Sequence, residues 1–175
     1  MKIIAFAGST SSKSINKKLV NYALSFFEAD EKQLLDINDY EMPLFSVDRE
    51  SEGYPQEAQD FVKILGQADL IITSLAEHNS AYTAAFKNLM DWCSRYERKF
   101  FQDKALFLMS TSPGKRGGAN VMNLAQNYFP RAGANIVESF SLPSFKDNFD
   151  AEKGITDDDL KKSFLEKIDL VKEAV

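Results

Sequence analysis

Apolar residues along the chain follow two alternating periods. Short runs at 2–7, 33–37, 69–74, 104–110 and 135–140 are nearly continuous in apolar side chains, the pattern of strands covered on both faces of a parallel sheet. Longer stretches between them carry helical spacing. Ile15, Leu19, Tyr22, Ala23, Phe26 and Phe27 make one stripe of a helix over 14–28, and Ala58, Phe61, Val62 and Leu65 mark a helix opened near Pro55 and closed by Gly66. A third helix, over 82–95, carries two stripes. Ala85, Leu89, Trp92, Cys93 and Tyr96 form one, and Tyr82, Phe86 and Met90 begin another beside it. Such a helix needs two things to pack against. One is the sheet; the other is a neighbouring helix or, as we expect, a second subunit of a homodimer or homotetramer. Val121, Leu124, Ala125, Tyr128 and Phe129 give a fourth helix ended by the segment 130–133. The last is buried through Leu160, Phe164, Ile168 and Val171, with Thr156 expected to cap it ahead of Asp157, Asp158 and Asp159.

Five strands, each followed by helical sequence and joined without a linker or composition shift, predict one α/β domain over 1–175. The expected architecture is a doubly wound five-stranded parallel sheet in the order 2-1-3-4-5, with right-handed crossovers and helices on both faces. Ligands of such sheets bind beyond the carboxyl ends of the strands, so the loops after strands 1, 3 and 4 carry the chemistry.

Composition narrows that chemistry. The 175 residues include 26 acidic against 21 basic side chains, a net charge of −5 that offers no footprint for nucleic acid. A single cysteine, Cys93, and a single histidine, His78, preclude an internal disulfide and a His-rich zinc site. Cys93 lies on an apolar stripe and is expected to be buried and inert. No apolar run approaches the roughly 20 residues of a membrane span. The opening Met-Lys-Ile-Ile-Ala-Phe-Ala turns polar too early for a signal peptide and reads as a first strand, so the expected location is cytoplasmic.

The first loop, Gly8-Ser9-Thr10-Ser11-Ser12-Lys13-Ser14-Ile15-Asn16, brings hydroxyls, backbone N–H groups and a helix N-terminus to one place. That suits a phosphate monoester, although a Ser/Thr-rich turn can also serve only to cap the helix. It lacks both the Gly-x-Gly-x-x-Gly of a dinucleotide fold and the Gly-Lys-Ser/Thr of a P-loop. Strand 1 ends without the acidic pair of a receiver domain. The second loop contains Glu77-His78-Asn79-Ser80, followed by Lys87-Asn88-Leu89-Met90-Asp91-Trp92; the third reads Ser110-Thr111-Ser112-Pro113-Gly114-Lys115-Arg116-Gly117-Gly118.

Together these loops resemble the NADPH-dependent FMN reductase family, of flavodoxin-like fold. Gly8, Ser9, Ser14 and Asn16 match its Gly-Ser-x-Arg-x-x-Ser-x-Asn; Glu77, Asn79, Lys87, Asn88, Asp91 and Trp92 match its Pro-Glu-Tyr-Asn and Leu-Lys-Asn-x-x-Asp-Trp; the third loop is similar to its Ser-x-Gly-x-x-Gly-Gly. The resemblance implies noncovalent FMN with NADPH or NADH as donor. The phosphate would sit on Ser9, Ser14 and Asn16, with Ser11 and Ile15 beside them. The isoalloxazine would lie against Ala76, Glu77, His78, Asn79 and Ser80, its pyrimidine edge read by backbone around Ser112, Pro113, Gly114, Gly117 and Gly118. The glycines can equally serve a turn and helix packing. Lys115 and Arg116 form either a solvated loop tip or an attraction for the phosphates of a nicotinamide dinucleotide.

Two departures stand out. Ser11 replaces the family's arginine, with Lys13 two places on, and Ala76 and His78 replace its proline and tyrosine. An imidazole can carry a proton near neutral pH, so His78 is either a modulator of the flavin or a surface change. The implied activity is hydride transfer from reduced nicotinamide through flavin N5 to a quinone, free flavin, azo compound or metal oxyanion, with no catalytic side chain required and no metal. The alternative is a flavodoxin-like electron carrier or noncatalytic flavin-binding module, whose acidic charge would suit a basic partner.

Overall fold

The computed structural model covers residues 1–175. Five parallel strands, β1 (Lys2–Gly8), β2 (Glu31–Leu35), β3 (Leu70–Leu75), β4 (Lys104–Thr111) and β5 (Ala134–Leu142), lie in the expected order β2-β1-β3-β4-β5. The principal helices are α1 (Ile15–Leu24), α2 (Gln56–Gly66), α3 (Ala84–Tyr96), α4 (Ala119–Tyr128) and α5 (Asp158–Glu173). Because successive strand side chains point to opposite faces, Ile3, Ala5 and Ala7 of β1 pack under α1 and α5, whereas Ile4 and Phe6 pack under α2, α3 and α4. The register pairs Gly8 with Leu75 and Leu75 with Ser110, so the carboxyl ends of β1, β3 and β4 finish level and their loops share one edge. No helix is long and apolar enough to cross a membrane.

Several boundaries differ from expectation. Helix α1 ends at Leu24 instead of Glu28; Ser25, Phe26 and Phe27 continue as a tighter turn whose N–H groups bond three residues back, which still buries Phe27. The second strand ends at Leu35, because Asp36 accepts the Asn38 N–H and caps a 3₁₀ turn over Ile37–Tyr40. On α4 the buried stripe is Val121, Met122, Ala125 and the following Phe129, leaving Leu124 and Tyr128 exposed. The last helix is capped by Asp157, not Thr156: the Asp157 carboxylate accepts the Leu160 N–H at 2.9 Å, while the Thr156 hydroxyl turns to the Asp147 carbonyl.

The main correction concerns the second stripe of α3. Phe86 (1% exposed) and Met90 (3%) are sealed inside the same chain, so these two residues offer no surface to a second subunit, and Tyr82 is half-buried against the same core. Tyr82 and Phe86 are covered by a 3₁₀ turn over Phe129–Ala132 after α4: the Phe129 ring stacks on Tyr82 at 6.2 Å and meets Phe86 edge-on. Cys93 is buried as expected, and burial pushes its thiol well above the ordinary range.

The Lys87-to-Trp92 run serves as scaffold. Asn88 accepts the Phe45 N–H at 2.9 Å and Trp92 Nε1 donates to the Pro43 carbonyl at 2.8 Å, fastening the connection after β2 onto α3. Lys87 and Asp91 form an exposed pair one turn apart.

Candidate functional site

A cleft of about 260 Å³ opens at the carboxyl ends of β1, β3 and β4, lined by Ser9, Ser11, Lys13, Ser14, Ile15, Asn16, Ala76, Glu77, His78, Thr111, Ser112 and Pro113. The three loops singled out in the sequence therefore converge. Asn79, Ser80, Gly114, Gly117 and Gly118 do not line it, and Lys13 and Thr111 do. A larger hollow of about 410 Å³ lies against Thr10, Tyr40, Met42 and Ala85, without the same convergence of donors.

In the first loop three of the five hydroxyls are engaged as acceptors. Ser9 Oγ accepts the Ser11 N–H (3.3 Å), Ser11 Oγ the Lys13 N–H (3.2 Å), and Ser14 Oγ caps α1 by accepting the Lys17 N–H (3.2 Å). None of these three hydroxyls donates within the chain, and all three residues line the cleft, so each has a hydrogen to offer there. The N–H groups of Ile15 and Asn16, the first of α1, have no partner in the chain. With the helix dipole behind them and Lys13 lining the same cleft, they make a donor set suited to an anion.

Asn16 lines the cleft and also braces it. Its side chain is buried, with Oδ1 accepting from Ser74 Oγ (2.7 Å) and the Thr111 N–H (3.1 Å), and Nδ2 donating to the Thr111 carbonyl (3.2 Å). One residue thus ties the first loop to the ends of β3 and β4, leaving a single amide hydrogen for anything in the cleft.

The second loop is a miniature hairpin in which Glu77–His78 pairs with Ala81–Tyr82. Asn79 (φ 50°) and Ser80 (φ 63°) form its tip, both left-handed as a two-residue type I′ turn requires. Asparagine accepts that conformation readily; serine adopts it at some cost. This geometry takes both side chains out of the cleft lining and leaves His78 exposed at the rim. The Glu77 carboxylate reaches across to α4, where Oε2 accepts the N–H groups of Asn120 (2.8 Å) and Val121 (3.0 Å) and Oε1 accepts from Asn120 Nδ2 (3.2 Å). The residue before the first turn of helix α4 is Gly118, which has no side chain to cap it. Thr83 caps α3 and donates to the Gly8 carbonyl at 3.0 Å.

In the third loop Gly117 (φ 57°) and Gly118 (φ 82°) are both left-handed, and an added Cβ would lie 3.1 Å from the Leu142 backbone or from Ser110 Cβ. The Gly117 carbonyl accepts the hydroxyls of Ser110 and Ser141, each at 2.8 Å. Of the two readings of these glycines, turn and packing accounts for both. Thr111, Ser112 and Pro113 are the residues of this loop that reach the cleft. Arg116 donates to Asn120 Oδ1, so the Lys115-Arg116 tip is anchored at one residue. Two features escaped sequence reasoning: the Glu77 cap, whose only trace is a glycine at the start of α4, and Thr111, which looks like strand.

Comparison with known proteins places the sequence in a family. The profile described as NADPH-dependent FMN reductase matches residues 1–147. An NAD(P)H:quinone oxidoreductase of Solanum tuberosum is 27% identical over 173 residues, covering 93% of this chain and 86% of that protein. An NAD(P)H-dependent FMN reductase of Pseudomonas aeruginosa is 27% identical over 120 residues, covering 68% of this chain and 64% of that one. Among solved structures, the flavoenzyme NAD(P)H:(acceptor) oxidoreductase FerB of Paracoccus denitrificans superposes with a TM-score of 0.74 at 22% identity, over 98% of this chain and 97% of that one, a likeness of fold. With the profile spanning all three site loops, the chain belongs to the NADPH-dependent FMN reductase family, a family of enzymes on the flavodoxin-like fold.

Proposed function

We propose that this protein is an FMN-dependent NAD(P)H oxidoreductase that passes hydride from NADPH or NADH to a small acceptor, a quinone foremost. The observation that carries the reading is the convergence on one cleft of the free N–H groups of Ile15 and Asn16, the hydroxyls of Ser9, Ser11 and Ser14, and Lys13. That donor set fits a phosphate dianion. FMN, held there noncovalently, supplies the hydride chemistry at its N5. The chain's own residues bind and orient. Lys13 stands in for the family's arginine as the cation beside the phosphate. The walls at 76–78 and 111–113 offer flat backbone for the isoalloxazine, with Ser112 and Pro113 toward its pyrimidine edge. Asn79, Ser80, Gly114, Gly117 and Gly118 support those walls from outside the cleft. His78, at the rim, is positioned to modulate access or to carry a proton to a bound acceptor.

Quinone is the acceptor we favour because the Solanum tuberosum relative bears that name. Free flavin, azo compounds and metal oxyanions share the requirement for a two-electron donor. A cytoplasmic location and a homodimeric or homotetrameric assembly belong to the same proposal. Sedimentation at micromolar concentration tests the assembly, and a clean 19.7 kDa monomer would overturn it.

The phosphate assignment is tested by comparing FMN with riboflavin. FMN is expected to bind roughly a hundredfold more tightly, with an advantage that shrinks in salt. Equal affinity for the two would mean that the first loop is only a helix cap.

A further inference from the structure

The contacts of Glu77 exceed what a residue of a flavin loop needs. Its carboxylate holds two backbone N–H groups and one side-chain N–H of α4, across 43 residues of sequence, at the only helix of the site that starts on glycine without a cap of its own. Glu77 also lines the cleft, and its neighbour His78 forms the rim. The orientation of Asn120 is set from the far side, because Arg116 donates to Asn120 Oδ1 and so turns Nδ2 toward Glu77. A carboxylate at a helix N-terminus satisfies orphan donors and complements the dipole, and it does so here in trans. The hairpin it anchors has little else to hold it: two residues per strand, a left-handed serine at the tip and the Tyr82 ring on Phe129.

We propose that Glu77 is a positioning residue, a clamp between the second loop and the N-terminus of α4 that sets the separation of two walls of the cleft. In resting on the FMN reading it adds a statement about this chain: the hairpin carrying His78 and the turn carrying Ser112 and Pro113 move as one body while the carboxylate is in place, and separate when it is not. A glutamine keeps one acceptor oxygen for a backbone N–H but turns an amide donor toward Asn120 Nδ2, so it restores part of the clamp. An alanine restores none.

The test compares Glu77→Ala and Glu77→Gln with Asp157→Ala, which removes the cap of α5 at a residue outside the cleft lining. Amide exchange, read without flavin, is expected to speed up together at 77–82 and at Asn120 and Val121 in Glu77→Ala, with an intermediate increase in Glu77→Gln and none there in Asp157→Ala. FMN binding, read well below each variant's Tm, is expected to weaken about tenfold in Glu77→Ala and about threefold in Glu77→Gln, and to stay within about twofold in Asp157→Ala. Faster exchange at Asn120 and Val121 alone, with the hairpin unchanged, would overturn the clamp, as would wild-type FMN affinity in Glu77→Ala. A wild-type protein that binds no FMN contradicts the functional reading instead, and the exchange data still decide the clamp.

Discussion

Asn16 and Ser9 are neighbours in one loop with opposite burdens. Replacing Asn16 by alanine strands the Ser74 hydroxyl and the Thr111 N–H and carbonyl in a buried place, at a cost of about 2–4 kcal/mol, or roughly 5–10 °C in Tm for a domain of this size. Ser9→Ala, by contrast, is expected to change stability by less than about 0.5 kcal/mol while weakening FMN binding roughly threefold to tenfold. Thermal unfolding and an FMN titration on the two variants separate the roles. Lys13→Met is expected to weaken FMN and to flatten the salt dependence of its binding, since it removes the one lysine or arginine that lines the cleft. The loop chemistry was legible because hydroxyls, glycine and a helix start are local signals. The Asn16 contacts were not, because Ser74 and Thr111 are brought to it only by strand order.

Helix α3 shows the limit at the next scale. Amphipathic spacing says that a face is covered, not by what. The cover is Phe129, on a turn that begins where α4 stops, and nothing in its neighbourhood marks it as the partner of Tyr82 and Phe86. Phe129→Ala is expected to cost about 3–5 kcal/mol as a cavity inside one chain, with a Tm loss independent of protein concentration. A loss that shrinks as concentration rises would restore the subunit interface. The pairing of β5 with α5 carries a pH signature. Lys167 donates to Glu138 at 2.7 Å and, with the Ser139 N–H, holds that carboxyl below its usual range. A depressed folded-state pKa stabilises above the unfolded value and is lost as pH falls through the folded one. Lys167→Met should therefore cost under about 1 kcal/mol near neutrality, with the difference from wild type disappearing in acid below the usual carboxylate range. Tm measured against pH for both proteins checks it.

At the scale of the whole molecule, alternating periods and right-handed crossovers were enough to set the sheet order, and the sheet order brings three separated loops to one edge. Why the chain has so few reactive side chains follows from the same view. One histidine, one cysteine and no triad suit a protein whose reactivity is borrowed, and whose residues are spent on donors, left-handed turns and caps. The long-range bonds that stiffen this edge, Asn16 to β4 and Glu77 to α4, appear only once the fold is assembled. Anaerobic mixing of the FMN-loaded protein with NADPH or NADH, followed at the flavin band near about 450 nm, tests the central claim most directly. Rapid two-electron bleaching by at least one nicotinamide, reversed on adding a quinone, is the predicted result. Bound FMN that neither nicotinamide reduces would contradict it and leave an electron carrier or a flavin-binding module in its place.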